Sequence, residues 1–184
     1  EHTHRVESVA WSPDAKYFAS NDFRGELIIW DTTWNVVKKI KSNNGPVKFA
    51  SFNPINYQEI ATANMGSNIK VWNWFTYKNG DKPIQVYETN AYNNWHVTYN
   101  QDGTKIAATT ESSKPQRLYV WDTQKPGKYL YYISHNIDET TNNSIISSSF
   151  FYHPELKKEL ILTSSTDNTA RLWSAEDGSV FPVI

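Results

Sequence analysis

A tryptophan that closes a short apolar run occurs four times along the 184-residue chain, at Trp30, Trp72, Trp121 and Trp173, at intervals of 42, 49 and 52 residues. Self-similarity at such a period constrains the fold more than any single residue does. A repeated supersecondary unit buries its faces only by stacking on its neighbours. Each unit reads as three short runs rich in β-branched and aromatic residues: 6–13, 17–20 and 27–31; 47–54, 59–62 and 69–73; 97–103, 106–108 and 118–122; 150–154, 160–163 and 170–174. Asp14, Asn53-Pro54, Asp102-Gly103 and His153-Pro154 stand where a strand must reverse. Helical periodicity is absent nearly everywhere, so the pattern predicts an all-β chain.

The run from His2 through Ser12-Pro13-Asp14 to Trp30-Asp31 resembles a WD40 repeat, and the run from Thr163 through Asp167 to Trp173 resembles one as closely. The resemblance covers essentially the whole chain. It implies a WD40-type β-propeller segment, a single unit over 1–184 with about four four-stranded blades near 2–41, 42–88, 89–133 and 134–184. It also implies a buried network in each blade, joining a third-strand Trp, a second-strand Ser or Thr, a turn Asp and an upstream His. Such a network is stabilising only when every member is satisfied. Carried over by position, the first repeat supplies His2, Ser20 and Trp30, with Arg24 at the Asp position and Asp22 close by. The fourth supplies Thr163, Asp167 and Trp173, with His135 a fourth member across an insertion. The second keeps Thr62 and Trp72 but has Gly66 for the Asp. In the third, Trp121 remains while Ala108 and Pro115 replace the hydroxyl and the Asp. On this reading no repeat is complete, and the blades lean on apolar packing through a column of Trp11, Phe52, Tyr99 and Tyr152.

The resemblance further implies a ring of commonly seven blades, of which four make a little over half. An open row leaves two apolar faces uncovered. With Glu1 as first residue and the last blade cut off near 178–181, the expectation is a piece of a longer protein. The ring would then be completed by further blades of the same protein or by a partner.

Chemistry of the chain's own finds little support. His2 and His4 form an HxH pair with no third ligand at sensible spacing, so no metal site is expected. Asp138-Glu139 lies in a polar loop rather than on rigid elements, and no phosphate-cradling glycine loop or nucleophile elbow occurs. No catalytic residue and no cofactor is therefore expected. The net charge of −1 and the lack of a basic stripe disfavour nucleic acid as a direct ligand. No apolar stretch is long enough for membrane insertion by a helix, and the absence of cysteine fits an intracellular, reducing compartment.

Protein partners remain. Trp74 and Phe75 extend past the third strand of the second repeat, either as an exposed anchor or packed under the connection to Pro83; Trp34 carries the same two readings. Related propellers often dock partners on the narrow face, where Arg5, Phe23, Arg24, Met65 and Thr166 fall by position. Arg5 and Arg24 could pair with an acidic or phosphorylated peptide. The expectation is a scaffold within a multiprotein assembly, with a peptide- or phosphopeptide-reading propeller as the alternative.

Overall fold

The structure is a computed structural model that describes residues 1–42, 45–66, 68–89, 91–111, 116–136 and 143–181. Its regular elements are all strands, and the described residues hold no helix long and apolar enough to cross a membrane. Four antiparallel sheets follow one another in chain order. Blade 1 contains β1 (Val6–Trp11), β2 (Tyr17–Asp22), β3 (Glu26–Asp31) and β4 (Val36–Lys41); blade 2 contains β5 (Val47–Phe52), β6 (Glu59–Asn64), β7 (Ile69–Asn73) and β8 (Gln85–Tyr87). Blade 3 contains β9 (Asn93–Tyr99), β10 (Lys105–Glu111), β11 (Leu118–Asp122) and β12 (Tyr131–Ile133). Among the described residues blade 4 has three strands, β13 (Ile145–His153), β14 (Lys158–Ser165) and β15 (Ala170–Ser174), and a Trp173–Val180 bridge where a fourth would run. Among the described residues the row of blades does not close on itself.

Local chemistry explains the reversals. At the β1–β2 turn the Ser12 hydroxyl donates to Asp14 Oδ1 at 2.7 Å and accepts the Tyr17 N–H at 3.0 Å. At β5–β6 the Asn53 side chain accepts the N–H groups of Ile55 and Asn56, as an Asx turn does. Gly103, at φ +70°, closes the β9–β10 turn against that same Asn53, and a Cβ there would lie 2.8 Å from Asn53 Oδ1. The turns of adjacent blades thus interlock.

The core lies between blades. Ala19, Leu27, Ile29 and Ile40 of blade 1 meet Ala50, Phe52, Ile60 and Trp72 of blade 2. Blades 2 and 3 join through Ile69, Tyr87, Val97, Tyr99 and Trp121, and blades 3 and 4 through Leu118, Ile133, Phe150, Ile161 and Trp173. The expected aromatic column is therefore corrected at both ends. Phe52 and Tyr99 are buried, but the fourth member is Phe150, paired with Ile161, because β13 runs on past it. Tyr152 is exposed, and so is Trp11, whose face has no preceding blade against it.

The first strands of successive blades run side by side along the inner edge. In each the pairing register slips by one residue near its start, so Glu7, Lys48, Trp95 and Ile146 have no ladder partner. A bulge of this kind turns its extra side chain out of the sheet's alternation.

Candidate protein-interaction site

Blade 1 contains a complete buried network. The Trp30 indole N–H donates to Ser20 Oγ at 2.8 Å, Ser20 Oγ lies 2.7 Å from His2 Nε2, and His2 Nδ1 lies 3.1 Å from Asp22 Oδ2. Asp22 Oδ1 also accepts the N–H groups of Arg24 and Glu26, each at 2.9 Å. The acid is thus Asp22, and Arg24 does not substitute for it. Burial alone would raise the Asp22 pKa, but those backbone hydrogen bonds and His2 bring it below the ordinary carboxylate value.

Blade 4 repeats the arrangement with His135 as a full member. Trp173 Nε1 donates to Thr163 Oγ1 at 2.8 Å, which lies 2.7 Å from His135 Nε2, and His135 Nδ1 lies 3.0 Å from Asp167 Oδ2. Donors run Trp to Thr to His to Asp, which assigns the proton of a neutral imidazole to Nδ1. Burial lowers the His135 pKa, outweighing Asp167 beside it. Asp167 is held well below the carboxylate range because hydrogen bonds from Thr169 and His135 outweigh its desolvation. Blade 2 builds an uncharged version. Trp72 Nε1 donates to Thr62 Oγ1 at 3.2 Å, and Ser42 and Asn64, not Gly66, supply the remaining partners. Blade 3 leaves the Trp121 indole N–H buried without a partner among the described residues, since Ala108 stands where the others have a hydroxyl. Pro115 and the Asp138-Glu139 pair lie outside the described residues.

Among the described residues one His/Asp/Glu group has its ligand atoms within 4.8 Å of one another: His2, Asp22 and Glu26. The sequence missed this company because it depends on the β2–β3 hairpin. Both nitrogens of His2 are committed to Asp22 and Ser20, so the group serves the blade network.

The interaction candidates separate into two sets. Trp74 is 1% exposed, donates its indole N–H to the Tyr57 carbonyl and meets Tyr17 edge-on at 4.9 Å. It packs between blades 1 and 2 and leaves only Phe75 of that pair exposed. Arg5, Phe23 and Arg24 sit together at the end of blade 1 that carries the β2–β3 turn. The Arg5 guanidinium lies 5.0 Å from the Phe23 centroid and donates twice to Glu7 Oε1, at 2.6 and 2.9 Å. Lys48 Nζ lies 3.3 Å from Glu7 Oε2 and 5.0 Å from the Trp95 centroid. Three of the four bulge residues thus form a continuous rim of acid, base and indole. The sequence alignment did not reach Trp95 and Ile146, which precede the third and fourth repeats as read from 97 and 150. Met65 donates its N–H to the Pro46 carbonyl in the β6–β7 turn. Thr166 ties the β14–β15 turn to Ser144 through two hydrogen bonds, at 2.8 and 2.9 Å, so its side chain is a strut.

The family model "WD domain, G-beta repeat" matches residues 1–31, the stretch that contains the complete network of blade 1. That stretch is thus similar to a single WD40 repeat, set in a row of β-propeller blades. Among curated proteins none matches the sequence. A chain of the solved structure "Crystal Structure of Mitotic Checkpoint Complex" superposes with a TM-score of 0.76 at 15% identity, over 98% of this chain and 51% of that one. The likeness is one of fold, and this chain spans about half the length of its match.

Within this row of blades the first differs from the others on one side. The residues equivalent to the buried Phe52, Ile60 and Trp72 are Trp11, Phe18 and Trp30. Phe18 stacks on Trp30 at 5.9 Å and meets Trp34 edge-on at 5.2 Å. Trp11, Val9 and Trp34 are 65%, 67% and 75% exposed, around an apolar groove of about 440 Å³.

Proposed function

We propose that this WD40 chain is a non-enzymatic interaction scaffold, a subunit of a larger intracellular multiprotein assembly. The observation that carries the reading is the inner-edge rim, where Glu7, Lys48 and Trp95 of three successive blades contact one another beside exposed Phe23. Charged and aromatic groups gathered on a rigid frame are what protein partners dock on. Further blades of the same protein, or a partner, would complete the ring. The structural neighbour's place in a complex accords with the reading.

The test is affinity purification of the native protein with cross-linking mass spectrometry. Stoichiometric partners cross-linked to blade edges are the expected result. A protein that emerges alone as a closed ring would sink the proposal. A transient reader of acidic or phosphorylated peptides would then be favoured, because the exposed Arg24 side chain has no partner among the described residues and stands beside exposed Phe23.

A further inference from the structure

Asparagine or aspartate followed by glycine is the pair in which a backbone nitrogen most readily attacks the side chain before it. Glycine leaves that nitrogen uncrowded and lets the backbone bend toward the carbonyl carbon it must reach. Among the described residues the pair occurs at Asn79-Gly80, Asp102-Gly103 and Asp177-Gly178. The fold treats the three differently.

Two of them are locked. Asp102 Oδ1 accepts the N–H and the hydroxyl of Thr104, at 2.9 and 2.6 Å, and the Gly103 N–H donates to the Asn100 carbonyl at 3.1 Å. Asp177 Oδ1 accepts the N–H and the hydroxyl of Ser179, at 3.0 and 2.7 Å, and the Gly178 N–H donates to the Ser174 carbonyl at 2.9 Å. In both pairs the attacked group and the attacking nitrogen are held in other hydrogen bonds. In the third neither is held. Asn79 is exposed, and neither its side-chain amide nor the Gly80 N–H makes a hydrogen bond among the described residues. The turn closes around the pair instead: the Asp81 N–H donates to the Lys78 carbonyl at 3.0 Å, and the Lys78 N–H donates to Asp81 Oδ2 at 2.7 Å. Gly80 takes φ +93°, as the third residue of a type II turn does, and a Cβ built on it would meet nothing within 4 Å. The pair thus has open space in which to form a ring.

We propose that Asn79 is a site of spontaneous deamidation through a cyclic imide, with water as the second reactant. The Gly80 backbone nitrogen attacks Asn79 Cγ. The N–Cγ bond forms, the Cγ–Nδ2 bond breaks, and ammonia leaves with the proton of the Gly80 amide. Water then adds to one of the two imide carbonyls. Opening at the main-chain carbonyl of Asn79 leaves isoaspartate, and opening at Cγ leaves aspartate. Either product sets a carboxylate beside Asp81, between Lys78 and Lys82, where a neutral amide stood. The change stays local. Trp74 and Tyr77 plug the gap between blades 1 and 2 just before the turn, and Tyr77 is tied on both sides. Its N–H donates to the Asn73 carbonyl at 3.1 Å, and its carbonyl accepts Lys38 Nζ at 2.9 Å. The reaction needs no partner protein and is independent of the scaffold reading.

The test is incubation of the purified protein, folded and in guanidinium chloride, at neutral and mildly alkaline pH. Peptide mapping that separates isoaspartate from aspartate then follows each site. In the folded protein Asn79 should convert, mainly to isoaspartate, with ammonia released in step. The rate should rise with pH, because the attacking amide must lose its proton. A site held in hydrogen bonds reacts only through local opening, so unfolding should speed isomerisation at Asp102 and Asp177 at least about tenfold, and change the Asn79 rate by less than about threefold. Gly80→Ala should slow conversion several-fold by crowding the nitrogen. Asn79→Gln, which would need a larger ring, should abolish it without moving the thermal midpoint. The proposal fails if Asn79 stays intact in the folded protein while converting in guanidinium chloride. It also fails if Asp102 and Asp177 convert as fast as Asn79 in the folded protein, or if Gly80→Ala leaves the Asn79 rate unchanged.

Discussion

Restoring the hydroxyl missing from blade 3 should stabilise the chain. Ala108 is fully buried, and it stands to Trp121 as Ser20, Thr62 and Thr163 stand to Trp30, Trp72 and Trp173. In those three blades the indole N–H reaches the hydroxyl at 2.8, 3.2 and 2.8 Å. In blade 3 the same N–H is buried with no acceptor among the described residues. An unsatisfied buried donor costs about 1–3 kcal/mol, and a typical hydrogen bond contributes about 0.5–1.5 kcal/mol net. Ala108→Ser adds a single oxygen, so the crowding that offsets part of this is small. The expected gain is about 1 kcal/mol, or roughly 2–4 °C in thermal midpoint for a chain of this size. Urea unfolding followed by tryptophan fluorescence should show a higher midpoint with an unchanged slope. Exchange of the Trp121 indole proton should slow in parallel. A midpoint equal to or below that of the parent, with the indole proton exchanging as before, would refute the acceptor argument.

Four further outcomes follow from the same geometry. Thr163→Ala removes the acceptor for Trp173 and the partner of His135, and should cost about 1–3 kcal/mol in urea unfolding. Trp74→Ala should cost about 3–5 kcal/mol, whereas Phe75→Ala should stay within about 0.5 kcal/mol; similar costs would overturn the plug assignment. Gly178→Ala should destabilise by at least about 1–2 kcal/mol in thermal unfolding, since its φ is +74° and its Cβ would lie 2.5 Å from the Tyr131 ring. Burial holds the folded-state pKa of His135 below its unfolded value, so the unfolded chain takes up the proton first, and stability falls as pH drops below about 6.5. The lowered Asp167 pKa acts in the same direction in the carboxylate range below it. Thermal midpoints measured against pH should show the upper loss shrink in His135→Gln, with the remainder set by buried His96, whose pKa is lowered to about 4.

The fold was legible because its strongest determinant is periodic. Four tryptophans, each ending an apolar run, specify four stacked sheets whatever their loops do. Positions set by counting across turns were legible only where the turns had equal length. Asp22 stands eight residues before Trp30 and Asp167 six before Trp173, so one offset could not find both. Tyr152 was placed in the core column because β13 was read as ending like its siblings, whereas it runs through to His153. Ser42 and Asn64 were missed because an amide and a hydroxyl can satisfy the same donors as a carboxylate and an imidazole, and composition does not announce the exchange. Trp74 was undecidable because a ring beyond a strand end can face a neighbouring blade or water with equal local propensity.

The inner-edge bulges separate two tasks that a regular sheet would couple. A residue in the ladder has its side chain committed to one blade face, so changing it disturbs packing on a neighbour. Glu7, Lys48, Trp95 and Ile146 stand outside that accounting, at one equivalent position in each blade. Their identities can drift independently of the cores on either side. The rim is therefore a part of the frame that can be rewritten without repacking the blades, provided Glu7, Lys48 and Trp95, which contact one another, change as a set.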